Sequence, residues 1–295
     1  MMTGRIVSFF VIFSACIFLL TASGYAENLT REEVIANAST YSNLKWFCEK
    51  KNARKDYNLL IPGKQYIGVP YNWGGFDSAD KFVKKVEKGV IAGNYKKRCG
   101  SKLCVREDFA GLDCSGLVSR SWKISRYTTK TFPGISIKIS RELLRPGDIL
   151  NSENNHVVLF DKFDEDNQMW VYESASWVRI KNAPPAGVVY RPVDLDNEYV
   201  PRRYYKFIEN GDRVKTDKTI VALRKLDGKK KFYIPAGTTG EILKGPALRS
   251  MARKSRTPSD IWVYVKFSNG KEGWAMVRHL ALVDIQKPDN LQTSG

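Results

Sequence analysis

The chain has 295 residues and a formal net charge of +17, from 48 Lys and Arg against 31 Asp and Glu; 43% hydrophobic and 12% aromatic residues exclude a disordered chain, and the length suggests two domains. The basic balance suits an acidic partner such as nucleic acid, anionic lipid or an anionic wall polymer. Only two histidines, His156 and His279, are present, which excludes a His-rich metal centre.

Arg5 precedes an apolar run from Ile6 to Leu20, and the small residues Gly24 and Ala26 stand at −3 and −1 of a cut before Glu27. The run is shorter than the ~20 residues a membrane span needs. This pattern predicts a secretory signal peptide over 1–26 and export to the periplasm, cell envelope or medium. A lipid anchor on Cys16 ranks second, because the apolar run continues past it. Cleavage would remove Arg5 and leave a charge of +16 (17 − 1) with no stable membrane span. Export would expose Cys48, Cys99, Cys104 and Cys114 to an oxidising compartment. Cys99 and Cys104 share one loop and suggest a local bridge; a zinc half-site is the rival, without a second Cys pair or His cluster to complete it.

Thr30-Arg31-Glu32-Glu33 has the form of a capping box and predicts a helix to about Cys48. Residues 61–78, rich in Gly, Pro and aromatics, predict a loop with a short strand. Phe82, Val83, Val86 and Val90 recur at helical spacing and predict a helix over 79–91. A polar loop follows to Ala110, and a helix opens at about Cys114. After Asp148 the pattern changes to short β-branched and aromatic runs separated by turn residues. Helices followed by strands predict an α+β domain over 27–210. From 211 to 285, closely spaced strand candidates, two of them joined by Asn269-Gly270, predict a small all-β barrel, with 286–295 as a tail. Within that part, Lys244 to Asp260 forms a long loop carrying Lys244, Arg249, Arg253, Lys254 and Arg256, the most concentrated basic patch.

The chemistry concentrates at Gly111-Leu112-Asp113-Cys114-Ser115-Gly116. A cysteine where a glycine-flanked turn enters a helix sits at the positive end of the helix dipole, which favours the thiolate a nucleophile needs. His156, at the start of a strand, is the candidate base. If 156–160 and 169–173 form a hairpin with Phe160 opposite Met169, His156 lies opposite Glu173, which could orient and charge-stabilise the imidazole. A slip of one residue would bring Tyr172 or Ser174 there instead.

GVPYNWGG, GLDCSGLVSRSW, LRPGDIL, HVVLF and VYESA, in this order over roughly 60–180, resemble the motifs of the NlpC family of bacterial cell-wall cysteine peptidases. The resemblance implies a papain-like peptidase domain with N-terminal helices and an antiparallel sheet, Cys114 as nucleophile and His156 as base. It puts Glu173 at a third position that is commonly His in the family. It implies that Asp113 and Ser115 bind the free amine of a stem peptide and that Tyr71 and Trp73 line the pocket. The family's link between WGG and DCSG is short, whereas here 76–110 forms an insertion that could cap the cleft. YVKFSNGKEGWAMVRHLAL resembles the closing hairpin of a bacterial SH3-like domain. The function expected is exported cleavage of the D-γ-glutamyl–diamino acid bond in peptidoglycan stem peptides. The protein is expected to be a monomer without cofactor or metal, with peptidoglycan or muropeptides and an anionic wall polymer as partners. Nucleic acid is disfavoured, since no nucleic-acid-binding signature is present. A related Cys/His acyltransferase or deamidase, or a silent wall-binding protein, is the alternative.

Overall fold

The computed structural model describes residues 29–95, 107–178, 180–248 and 260–283. The expected signal peptide, Cys16, Cys99, Cys104, the basic residues Arg249 to Arg256 and the 286–295 tail lie outside these residues.

Helix α1 (Arg31–Ser42) starts at the expected capping box, with Thr30 Oγ1 accepting from Glu33 N at 3.1 Å and Glu33 Oε2 accepting from Thr30 N at 2.9 Å. It stops at Ser42, short of Cys48. Residues 45–48 alternate exposed and buried with the period of a strand, and they form β1 (Lys45–Cys48) against β2 (Lys64–Ile67). That alternation buries Trp46, which stacks on Tyr66 at 5.4 Å and donates its indole N–H to Gly68 O at 2.9 Å. Helix α2 (Ala79–Glu87) is capped by Ser78 and turns Phe82 and Val86 inward, placing Phe82 edge-on to Trp46. Helix α3 (Cys114–Ser121) is almost wholly buried.

The remaining strands are β3 (Ser136–Lys138), β4 (Ile149–Ser152), β5 (His156–Phe163), β6 (Met169–Ala175), β7 (Gly187–Val193) and β8 (Val200–Tyr204), then β9 (Arg213–Thr216), β10 (Ile220–Leu223), β11 (Lys231–Ile234), β12 (Thr239–Leu248), β13 (Ile261–Phe267), β14 (Glu272–Met276) and β15 (Leu280–Leu282). All thirteen belong to one sheet, in the order β11-β10-β14-β13-β12-β9-β15-β3-β8-β4-β5-β6-β7. Its pairings are antiparallel except β15 with β3, where Ala281 lies opposite Lys138.

This architecture corrects the expected fold class. A papain-like domain of N-terminal helices plus antiparallel sheet, followed by a small SH3-like barrel, is not what forms. Among the described residues there are three short α-helices and one large mixed sheet. The physical reason lies in β15, which returns from the end of the described chain to pair between β9 and β3. Such a ladder joins residues 143 positions apart (281 − 138), and no local period encodes it.

The helices pack where the catalytic candidates converge. Trp122, at the end of α3, stacks on Tyr204 of β8 at 4.5 Å and donates to Gly147 O at 3.0 Å. Burying a ring of this size contributes at least ~1.5–3 kcal/mol. Beside it Asp148, the acid of the LRPGD motif, is wholly buried. It accepts from Arg203 Nη2 at 3.0 Å, Arg31 Nη1 at 3.0 Å and Arg145 N at 3.0 Å, tying α1, the β4 entry and β8 together. Among the described residues no helix is long and apolar enough to cross a membrane.

Candidate active site

Two glycine-rich segments cross backbone to backbone and aim Cys114. Tyr71 and Leu112 form a parallel bridge, Asn72 N donates to Leu112 O at 2.9 Å, and Asp113 N donates to Gly75 O at 3.3 Å. A Cβ on Gly111, at φ +144°, would meet Pro70 O at 2.3 Å; one on Gly116 would meet Gly75 O at 2.4 Å. This close approach explains why the WGG and GLDCSG motifs need glycine. Asp77, at the base of the 76–110 insertion, holds the crossing by accepting from Gly111 N at 3.0 Å and from Lys85 Nζ.

Asp113 is the N-cap of α3, and Cys114 follows as its first residue. The Asp113 carboxylate is densely used. Oδ1 accepts from Gly116 N at 2.7 Å, Ser115 Oγ at 3.0 Å and Arg126 Nη1 at 3.2 Å; Oδ2 accepts from Gly74 N at 3.0 Å and Arg126 Nη2 at 2.5 Å. Arg126 therefore already supplies a cation where the resemblance implies a substrate ammonium. Nothing in the short motif foretold it, since Arg126 follows a helix end and a turn.

His156 is the first residue of β5, paired with Ser152 of β4. Nε2 of its ring lies 3.0 Å from Glu173 Oε2, and Cys114 is close enough to act on the ring electrostatically. Burial opposes charge on the imidazole, but a Cys114 thiolate and the Glu173 carboxylate outweigh it and push its pKa up to about 10. Glu173 is 4% exposed. Burial favours its neutral form; bonding to His156, and then to Arg191, outweighs that and holds the carboxyl below its usual range. Arg191 Nε donates to Glu173 Oε1 at 2.5 Å from β7. The tyrosine Tyr199 stands edge-on to His156, centroids 6.4 Å apart.

The β5–β6 register differs from the expected one. Phe163, not Phe160, faces Met169, and Phe160 faces Val171, with Asp161 bulged out. Strand pairing continues past residue 160 because the turn is tight, with Asp164 N donating to Gln168 O at 3.1 Å. The difference along the regular stretch is two residues, and an even slip preserves the face. His156 and Glu173 consequently meet as diagonal neighbours rather than opposite ones.

Tyr71 is 7% exposed and Trp73 37%. Tyr71 lines a crevice of about 40 Å³ with Leu60, Tyr95, Trp177 and Pro185, beside the Cys114 crossing but without Cys114 or His156 in its wall. That volume admits a small apolar group or ordered water. Among the described residues the other free thiol, Cys48, is wholly buried, and burial alone pushes its pKa up to about 11, which makes it a poor nucleophile. His279 has Lys218, Arg278, Asp217 and Asp260 as its charged surroundings and is remote from these motifs. Among the described residues no cluster of His, Cys, Asp or Glu could hold a metal ion. Arg126, Arg191 and Tyr199 are the site members that sequence reasoning missed; all three reach the site from separate segments.

A scan against protein-family models found no match, and searches of curated proteins and of solved structures returned no similar chain.

Proposed function

We propose that this chain is an exported cysteine peptidase acting on an amide of peptidoglycan stem peptides. The observation that carries the reading is the chain of contacts Cys114–His156–Glu173–Arg191 at the start of a buried helix. In the proposed reaction the Cys114 thiolate attacks the amide carbonyl carbon. The first N–H groups of α3 lack intrahelical acceptors, and Asp113 takes only that of Gly116, so those of Cys114 and Ser115 suit the developing oxyanion. Collapse breaks the C–N bond as the His156 imidazolium gives its proton to the leaving amine, and a thioester forms. Water then attacks the thioester; His156 takes its proton, the acid product leaves and the thiolate returns. Glu173 keeps the imidazole oriented, and Arg191 keeps Glu173 ionised.

The bond suggested by the NlpC resemblance is D-γ-glutamyl to the diamino acid. Arg126 refines the substrate class. With its cation on Asp113, a free stem-peptide amine gains little, so stem peptides still attached to muramic acid are accepted as well as released ones. Digestion of purified muropeptides followed by mass spectrometry tests the reading. A mass gain of one water split across two fragments is expected, with Cys114→Ala slower by at least ~10⁴-fold at unchanged fold. Unchanged turnover in Cys114→Ala overturns the cysteine mechanism, and a transferred acyl group in place of water turns the reading to acyl transfer.

A further inference from the structure

The C-terminal strands present a second chemistry on the side of the sheet facing away from the core. Alternate residues of β10, β11, β13 and β14, among them Ala222, Ile234, Val263 and Ala275, are buried. The intervening residues lie on the other face, where Trp262 and Leu223 are covered and Lys231, Tyr233, Tyr264 and Trp274 reach solvent, and the register aligns them. Lys231 lies opposite Leu223, Leu223 opposite Trp274, Trp274 opposite Tyr264, and Tyr264 opposite Lys244. This is one row across five strands, a span of roughly 19 Å at sheet spacing. Leu223 is buried, Trp274 and Tyr264 are half-buried, and Lys231 and Lys244 at the two ends are exposed. The Trp274 and Tyr264 rings sit 5.5 Å apart at 69°. The neighbouring row adds Val221 and an exposed Tyr233. Arg224, Lys225, Lys229 and Lys230, with Asp227 the one acid among them, form the turn beside Lys231. On the other side Lys266 lies opposite both Glu272 and Glu241, one cation against two carboxylates, so the anion-attracting ends are Lys231 and Lys244.

We propose that this outward row binds an acidic polysaccharide, with sugar rings over Trp274 and Tyr264 and anionic groups on Lys231 and Lys244. Sugar C–H faces carry partial positive charge and suit the negative face of an aromatic ring. Cations at both ends of an apolar row favour a polymer that alternates such faces with anionic groups. Single-stranded nucleic acid also combines stackable faces with charge, but successive bases need a near-parallel aromatic shelf. Two rings at 69° do not provide one. Of the expected basic loop from Lys244 to Asp260, Lys244 stands in β12 and the residues from 249 to 259 lie outside the described ones; the β10–β11 hairpin adds Lys231 and its turn. The site uses no part of the Cys114 chemistry, so its failure would leave the peptidase reading intact.

The test is titration calorimetry of the full chain at low ionic strength against three probes: hyaluronate oligosaccharides, the same oligosaccharides with methyl-esterified carboxyls, and oligothymidylate of matched charge. Hyaluronate is expected to bind, more weakly as salt rises. The ester should bind about tenfold more weakly, and Lys231→Glu/Lys244→Glu should lose about tenfold on hyaluronate, from two reversed exposed contacts. Both lysines are exposed, so this variant keeps its fold; circular dichroism checks it. Trp274→Ala should weaken hyaluronate and ester alike, which a purely ionic patch would not do. No hyaluronate binding, equal binding by the double variant, or oligothymidylate bound more tightly than hyaluronate each overturns the proposal.

Discussion

The two ends of the large sheet handle charge in opposite ways. Around β5–β8, Asp113, Asp148 and Glu173 are buried, and each meets a guanidinium, from Arg126, Arg203 and Arg191. Around β10–β14 the lysines stand in water, and Lys266 and Glu272 approach only to 3.9 Å. A buried charge loses solvation and must recover it from fixed partners, so removing one partner is costly. An exposed charge keeps its water, and its pairings are screened by salt. The first arrangement holds atoms in register for chemistry; the second suits reversible attachment.

The contrast can be broken most strongly at Asp148. Asp148→Asn leaves Arg203 buried without its anion and should cost about 3–5 kcal/mol in denaturant unfolding. A loss under about 1 kcal/mol would mean the buried pairs are no more valuable than surface ones.

Next is Arg126. Wild type should cleave a free and an N-acetylated stem tripeptide at rates within about threefold, because Asp113 is already neutralised; Arg126→Gln should favour the free amine by about ten- to a hundredfold, the worth of one charge-assisted hydrogen bond of ~1.5–3 kcal/mol. Equal ratios in the two proteins would leave Asp113 as a helix cap alone.

Smaller still are the pH limbs. His156 is raised to about 10 from an ordinary 6.5, so its contribution to the ion pair and to stability is complete below 6.5 and lost as pH rises through about 10. Glu173→Gln should therefore move the alkaline limb of kcat/KM down by about one pH unit. Glu173 is lowered from an ordinary 4.5, so its contribution is present above 4.5 and lost as pH falls through the lowered value. Arg191→Gln should move the acid limb up, and Arg191→Lys should restore part of it. Limbs that stay in place in Arg191→Gln would make Arg191 structural only.

The smallest effect is expected at the outer row. Lys231→Glu/Lys244→Glu should change the unfolding free energy by no more than about 0.5 kcal/mol while altering polymer binding. A large loss of stability there would erase the distinction between the two ends.

Much of the local structure was legible because it depends on neighbours in the chain. The Thr30–Glu33 capping box, the helix opening at Cys114, and the strand runs around His156 and Glu173 follow from contacts three or four residues apart or from a period of two. The same period of two marks Lys45–Cys48 as a strand, where the capping-box reading extends the helix instead. The His156–Glu173 contact was reached through an inexact register, because a two-residue slip leaves both side chains on one face.

By itself, the sequence determined where α1, α2 and α3 begin, the strand runs around His156 and Glu173, and which residue types stand at the start of α3 and β5. Tertiary structure alone decided that β15 joins the C-terminal strands to β3, that Asp113 meets Arg126, and that Glu173 meets Arg191. Those partners are 143, 13 and 18 residues apart in the chain. Periodicity reports only which face a residue shows. The partner it meets on that face depends on how distant segments cross, and hence on the packing of the whole core.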